Sequence, residues 1–443
     1  MKILFLLGWY YPDSVGGTEA YVRMLAEDLR SSGCEIAIAA PSVDEAERRY
    51  ALDGLAVYRY PVSLAPTGAE LRGDRPPRYF DVFTRWIENE RPDLVHMHSL
   101  TRGCGFFHAK HVKDVGIPLV ITTHVPEFTC PRGTLMRWGR IPCDGEMRTY
   151  RCSACRLHAK GLPRPMAWSL AYVPAWTTRW AGETNHRVAS GLRSTPRIAQ
   201  RHERVRELLR IADRIVVLTE WHRRVLLRNG VAVDRLTLSR HGVPERDIGE
   251  YRPASDRTDP DRVHIGYVGR LDPVKGVHVL VAAIGRLSPS SQVELRIYGR
   301  VNDAEGRAYL SNLRKLAGQD RRVVFAGEMT QENRFRVFGG LDALAVPSLW
   351  LETGPLVVLE AFAAGIPVLG SDLGGISESV VDGVSGLLVK AGSVAAWARA
   401  LERIHELKVS RRWSWNIPPV RTSREIAKDM LDVYEDVRGS GKS

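Results

Sequence analysis

The apolar positions of the first forty residues fall into two kinds of run. Ile3 to Leu7 is unbroken, as in a strand buried on both faces of a parallel sheet. After the turn Pro12 to Gly17, Tyr21, Val22, Leu25 and Leu29 recur at helical spacing across Glu19 to Ser31, and Gly33 ends that helix. Glu35 to Ala40 returns to strand, and further strands are predicted at Leu94 to Met97, Leu119 to Thr122 and Arg214 to Leu218. A second series begins near residue 260. Its strands are Val263 to Val268, Val293 to Tyr298, Val323 to Phe325, Leu341 to Val346 and Ile366 to Gly370. Helices fall at Val277 to Leu287, Ala304 to Ala317 and Ala395 to Glu406. The repeated βαβ rhythm predicts two doubly wound α/β domains, each with a parallel sheet covered by helices. Tyr251 to Asp261, rich in Pro, Asp and Arg, reads as the linker. The last helix, Ser423 to Val437, carries Ile426, Met430, Val433 and Val437 on one face.

Composition narrows the class. A chain of 443 residues with 44% hydrophobic and 26% charged content has ample material for the cores of two or three domains. No apolar run reaches the roughly 20 residues of a membrane-spanning helix, and Ile3 to Leu7 is too short for a secretory leader. A cytoplasmic location is therefore expected, with the six cysteines reduced or metal-bound.

The net charge of +12 is concentrated: Arg132 to Arg210 holds sixteen Lys and Arg against five acids. Such a bias predicts an anionic partner, whether nucleotide, lipid phosphate, acidic glycan or the anionic face of a membrane. The plainer alternative is a solvated basic surface. No nucleic-acid module accompanies it. Trp168, Trp176 and Trp180 flank Pro174 in the same region and suit a membrane-interface patch, an acceptor-side loop, or an insertion packed on the first domain. Cys130, Cys143, Cys152 and Cys155 form a C-x12-C-x8-C-x2-C pattern, which in a reducing compartment suits a structural zinc, with His158 as a spare ligand. Free cysteines in a packed loop are the alternative reading.

Candidate chemistry gathers in three segments. Gly16 and Gly17 follow the first strand and open the first helix, where glycine admits close approach and the helix start favours an anion. Gly269-Arg270 and Lys275-Gly276 follow a strand of the second domain and place two cations at its carboxyl edge, where open α/β sheets bind ligands. Glu352-Thr-Gly354-Pro355-Leu356-Val357 leads to Glu360, with Pro355 read as the first residue of a helix ended by Gly365 and Pro367. An acid beside a phosphate-binding helix start suits the hydroxyls of an attached sugar or ribose rather than the phosphate itself. Two solvated carboxylates near a helix start are the bland reading.

Taken in order, these segments, together with Tyr11-Pro12, Asp93-Leu-Val-His-Met-His98, Thr123-His124, Ala212-Asp213 and His241-Gly242-Val243, resemble the group 1 (GT4-type) retaining glycosyltransferases over most of the chain. The resemblance implies a GT-B fold, two Rossmann-like domains facing a central cleft. Residues 1–248 would form the acceptor-side domain, with a basic, cysteine-containing insertion at about 126–200. Residues 249–422 would form the nucleotide-sugar domain, and 423–443 a helix packing back on the first. It implies transfer of a hexose from a UDP- or GDP-linked donor to a polysaccharide or lipid-linked glycan by front-face attack, with no metal required for the chemistry and peripheral contact with the membrane. A catalytically silent GT-B scaffold that binds partners through the cysteine insertion, a nucleotide-sugar binding protein, and a UDP-sugar epimerase are the alternatives.

Carried over residue by residue, Arg270 and Lys275 would hold the donor diphosphate and Glu352 the donor sugar. Glu360 would hold the ribose, Gly16 and Gly17 the phosphate, and His124 would sit at the reaction centre. Gly327 and Glu328 would frame the base, and Gly354, Leu356 and Val357 would line the donor. Pro355 departs from the common family pattern and removes one backbone donor there. Val125 stands where Asp is frequent, and His241 where Asn is commoner.

Overall fold

The computed structural model describes residues 1–440 except 15, 102, 175–190, 192, 249–261, 302 and 411–414. Trp176, Trp180 and the linker read at Tyr251 to Asp261 lie outside the described residues. The chain divides into two compact units, Met1–Arg240 with Arg424–Ser443, and His241–Ser423. The division precedes the boundary at 248 read from the sequence. Val243 already pairs with the returning chain, its N–H donating to Arg421 O at 2.9 Å while Ser423 N donates to Val243 O at 2.8 Å.

The first unit is built on strands β1 (Lys2–Leu6), β2 (Glu35–Pro41), β3 (Arg48–Leu52), β4 (Leu55–Tyr60), β5 (Leu94–Met97) and β6 (Leu119–Thr122). A small separate hairpin, β7 (Met136–Arg137) and β8 (Ile141–Pro142), precedes β9 (Arg214–Val217) and β10 (Leu236–Leu238). The main sheet runs β10-β9-β6-β5-β1-β2-β4-β3, parallel except for the antiparallel β3–β4 pair. Alternation along β1 explains why the sheet is covered on both faces. Ile3 and Phe5 join one apolar cluster and Leu4 and Leu6 the other. The first cluster is completed by helix Gly17–Ser31 and by the final helix Ser423–Ser440, through Ile426, Met430 and Tyr434. Tyr434 Oη also lies 2.6 Å from Nδ1 of the buried His96 on β5.

The β3–β4 hairpin has no counterpart in the strands predicted above. Asp53 and Gly54, both at positive φ (52° and 75°), form its tight turn. That Asp-Gly pair between alternating runs is the sequence signal that could have revealed it.

The second unit carries β11 (Val263–Arg270), β12 (Val293–Arg300), β13 (Val323–Gly327), β14 (Ala343–Val346), β15 (Val368–Ser371) and β16 (Gly386–Val389), all parallel, in the order β13-β12-β11-β14-β15-β16. β16 is the strand that the hydrophobic pattern did not single out. Among the described residues no helix is long and apolar enough to cross a membrane.

Candidate active site

Each sheet reverses its winding once: between β1 and β5 in the first unit, and between β11 and β14 in the second. At such a reversal the loops leaving the two strands part in opposite directions, so a crevice opens beyond their carboxyl ends. In the second unit those ends are Arg270 and Val346.

The loop after β11 is fixed by short-range chemistry. Asp272 Oδ1 accepts from Val274 N at 3.0 Å and starts the single turn Pro273–Lys275. Gly276 follows at φ 74°, and a Cβ there would lie 2.1 Å from Pro347 O, a backbone atom that cannot yield. Glycine thus lets this loop press against the chain leaving β14, where Leu349 N donates to Val274 O at 2.7 Å. The clamp brings Lys275 Nζ to 2.6 Å from Glu352 Oε1. Ser348 Oγ and Trp350 Nε1 each donate to the same oxygen at 2.7 Å, and the ammonium lies over the Trp350 ring, 5.4 Å from its centroid. Glu352 is 6% exposed, so three donors converge on a carboxylate oxygen withdrawn from water. Its backbone is held as well, Glu352 O accepting from Gly375 N at 2.7 Å.

Two further cations stand on this edge. Arg270 and Arg300 are partners in the β11–β12 register. Arg270 pairs with Asp272 at 3.2 Å and Arg300 with Glu328 at 3.4 Å. Gly327, at φ 88°, closes β13 beside Glu328.

The helix after Glu352 begins one residue later than the sequence suggests. Pro355 is the cap, with φ −69° but an extended ψ of 121°, and Leu356–Ala363 is helical. Its ring fixes φ and leaves ψ free, and Gly354 at φ 111° turns the chain into it. The missing N–H therefore precedes the helix, and Leu356 and Val357 head the first turn, where backbone N–H groups lack intrahelical partners. Glu360 lies farther along the same helix. Burial pushes its carboxyl up to about 7; the Arg334 charge opposes this and Asp247 adds to it.

In the first unit, Thr123 and His124 follow β6, and His98 follows β5 at the winding reversal. His98 Nδ1 and His124 Nε2 are 3.0 Å apart, and His124 meets the Tyr21 ring edge-on, 4.9 Å between centroids. Burial holds His98 well below the usual imidazole range, so it is neutral and orients His124 through one proton. Gly16 caps helix Gly17–Ser31, but the nearest anion is internal. A Cβ on Gly16 would lie 2.7 Å from Glu19 Oε2, and Ser14 Oγ donates to Glu19 Oε1 at 2.6 Å. A glutamate at the third helical position turns back onto the helix start, as charge and capping geometry favour. Negative charge thus lies beside the backbone groups to which the sequence reading assigned a phosphate.

Cys130, Cys143, Cys152 and Cys155 are all free and line one small cavity, while His158 turns its Nδ1 to Leu162 O at 2.8 Å. Among the described residues, however, no group of three or more His, Cys, Asp or Glu is arranged to hold a metal ion.

Sequence reasoning thus singled out Lys275 and Glu352 as candidates but not their contact. It missed Ser348 and Trp350, although both directly follow the carboxyl end of β14, and it missed Arg300 and His98 as parts of a site.

Comparison with known proteins adds a frame. Residues 16–241 match the family described as glycosyl transferase 4-like domain, and residues 250–416 match glycosyl transferases group 1. A D-inositol 3-phosphate glycosyltransferase of Nocardia farcinica is 34% identical over 209 residues, 44% of this chain and 46% of that one. The chain spans about half the length of the curated relatives it matches. Among solved structures, a sucrose-phosphate synthase from Thermosynechococcus elongatus aligns with a TM-score of 0.64 at 18% identity, covering 99% of this chain and 100% of that one. An Anabaena HepE in complex with UDP and glucose aligns with a TM-score of 0.60 at 16% identity, covering 98% and 100%. At these identities the likeness is one of fold.

Proposed function

Since the chain belongs to the glycosyl transferase 4-like family and carries a group 1 domain after it, we propose that it moves a hexose from a UDP- or GDP-linked donor to a glycan or lipid-linked acceptor, with retention at the anomeric carbon. The observation that carries this is the Lys275–Glu352 pair at the winding reversal of the second unit, with Arg270 on the same edge. Lys275 and Arg270 supply positive charge for the departing diphosphate, the task a metal ion performs elsewhere, so no metal is needed for the step. The bond between the anomeric carbon and the donor phosphate oxygen breaks while the acceptor oxygen bonds on the same face. The acceptor's proton passes to the leaving phosphate.

Three donors on Oε1 make Glu352 a poor nucleophile and a well-fixed acceptor of sugar hydroxyls. Glu360 takes the ribose hydroxyls, and Leu356 and Val357 offer backbone N–H groups to the donor. Arg300 and Glu328 border the base. In the first unit, His124, oriented by His98, is the group offered to a sugar hydroxyl. The HepE comparison, solved with UDP and glucose, supports a uridine donor.

The test is a panel of UDP-, GDP- and ADP-sugars, following binding and the release of nucleoside diphosphate with acceptor. A UDP- or GDP-sugar should bind and turn over. Failure of the folded protein to bind any of them would sink the reading.

Glu360 adds a pH signature. A carboxyl at about 7 is roughly 90% ionised at pH 8 and roughly 10% at pH 6, and only the carboxylate accepts from both ribose hydroxyls. Nucleotide affinity should therefore fall about tenfold from pH 8 to pH 6, and Glu360→Gln should flatten the profile. Stability has the opposite sign. The fold keeps a proton that the unfolded chain releases from its ordinary value of 4.5 upward, so Glu360 destabilises progressively between 4.5 and about 7 and no further above that. A wild-type affinity profile that is flat across pH 7 would remove Glu360 from the ribose site.

A further inference from the structure

Trp350 lies four residues past the end of β14, in a segment whose side chains divide between two tasks. Leu349 packs on the larger apolar cluster of the second unit, and Leu351 is 8% exposed. Ser348, Trp350 and Glu352, at the alternate positions, meet at Glu352 Oε1. Trp350 itself belongs to neither apolar cluster of its unit and keeps part of its surface in water. A side chain this large ordinarily contributes through burial. Here its hydrogen bond and its ring contact both go to the pair. The indole edge donates to Oε1 at 2.7 Å, and the Lys275 ammonium lies over the ring, 5.4 Å from its centroid.

Few side chains can make both contacts. Phe offers a face but no donor, and Tyr carries its hydroxyl at the far end of the ring. The indole puts an N–H on the edge of the same face that attracts a cation. Its place is set by backbone on either side. Leu349 N donates to Val274 O at 2.7 Å, tying the residue before Trp350 to the loop that carries Lys275. Two residues after it, Glu352 O accepts from Gly375 N at 2.7 Å.

We infer that Trp350 is a positioning residue of the transfer site, holding Lys275 and Glu352 in place through the change of partner that donor binding demands. In the donor-free chain the ammonium sits on Glu352 and on the indole face. A diphosphate draws that ammonium toward its own oxygens, and the charge that held Glu352 is then shared. The indole N–H is neutral and gains nothing by leaving, so it keeps Oε1 fixed while the sugar hydroxyls arrive. The ring face is broad and uncharged, so it supports the cation over a range of positions. The role rests on the transfer reading above; the contact does not.

Two substitutions in the full chain separate the two contacts. Trp350→Phe keeps a ring face and removes the N–H, whereas Trp350→Leu removes both. Affinity for UDP or GDP should stay close to wild type in Trp350→Phe and fall about threefold or more in Trp350→Leu. The donor that turns over in the panel above should release its nucleoside diphosphate, at saturation, about tenfold more slowly in both. A residue that served stability alone would lower affinity and turnover together, in step with the melting temperature. That pattern, or wild-type affinity and turnover in Trp350→Leu, would overturn the inference.

The contact is read without turnover. In protein labelled with 5-fluorotryptophan, the Trp350 fluorine resonance is identified by its absence from Trp350→Phe, or from Trp350→Tyr should the first variant melt early. It should differ between wild type and Lys275→Ala with no nucleotide present, and should move again when UDP or GDP binds the wild type. A resonance indifferent to Lys275→Ala would overturn the inference at its base. A resonance that responds to Lys275→Ala, in a protein that binds no UDP, GDP or ADP or any of their sugars, would instead overturn the transfer reading and the role with it, and leave the contact standing.

Discussion

Replacing Lys275 by alanine should lower turnover about a hundred- to a thousandfold, the range seen when one preorganised stabiliser of a developing negative charge is lost. Two effects combine. The leaving diphosphate loses a fixed cation. Glu352, 6% exposed, loses the Lys275 charge and keeps the neutral donors Ser348 and Trp350. The second effect predicts coupling: in a cycle with Glu352→Ala, adding the second substitution should cost far less than it does alone, because either change already dismantles the pair. Single-turnover rates separate chemistry from binding, and a melting curve shows how much of the loss is stability. Wild-type turnover in Lys275→Ala would end the proposed role.

Ending the chain before Ser423 should prevent the first unit from folding. The final helix buries Ile426, Met430, Val433, Tyr434 and Val437 against Ile3, Phe5, Tyr21 and Leu25. At about 1.5–3 kcal/mol per side chain, five such residues amount to roughly 7–15 kcal/mol, which is the whole stability of an ordinary domain. Truncation also takes the Tyr434 hydroxyl from His96 Nδ1, leaving a buried polar atom without that partner. A graded version is Met430→Ala, expected to cost about 2–5 kcal/mol without preventing folding. Limited proteolysis and calorimetry read both. A truncated chain whose first unit still melts cooperatively at the full-length temperature would refute the account.

Much of the fold was legible because burial on both faces leaves a plain trace. Leu94 to Met97 and Leu119 to Thr122 are apolar enough to have no other plausible fate, and the structure gives those strands the same limits. The β3–β4 hairpin was not legible from hydrophobicity, since Arg48–Leu52 is an edge strand with one face in water. Its signal was in the turn instead.

At the candidate site, Lys275 could be singled out by its place after a strand of an open sheet and Glu352 by the helix start that follows it. Their contact could not. It depends on Gly276 meeting Pro347, a close approach between segments 71 residues apart that no local pattern encodes. The Pro355 error has the same root: φ is dictated by the residue, while ψ is decided by what the neighbouring loop needs. Glu19 shows the converse. A glutamate at a helix start is visible in sequence, but only the fold shows it turned back onto Gly16.

The helix Ser423–Ser440 belongs to the first unit but follows the second in the chain. On the ribosome this reverses the usual order of completion. The first 240 residues emerge early yet lack one wall of their core. The second unit, contiguous from His241 to Ser423, can finish first. Through that interval the apolar face around Ile3, Phe5 and Leu25 is open to water and to other chains. Production of this protein should accordingly be more sensitive to chaperone supply and to elongation rate over the second unit than its final stability would suggest.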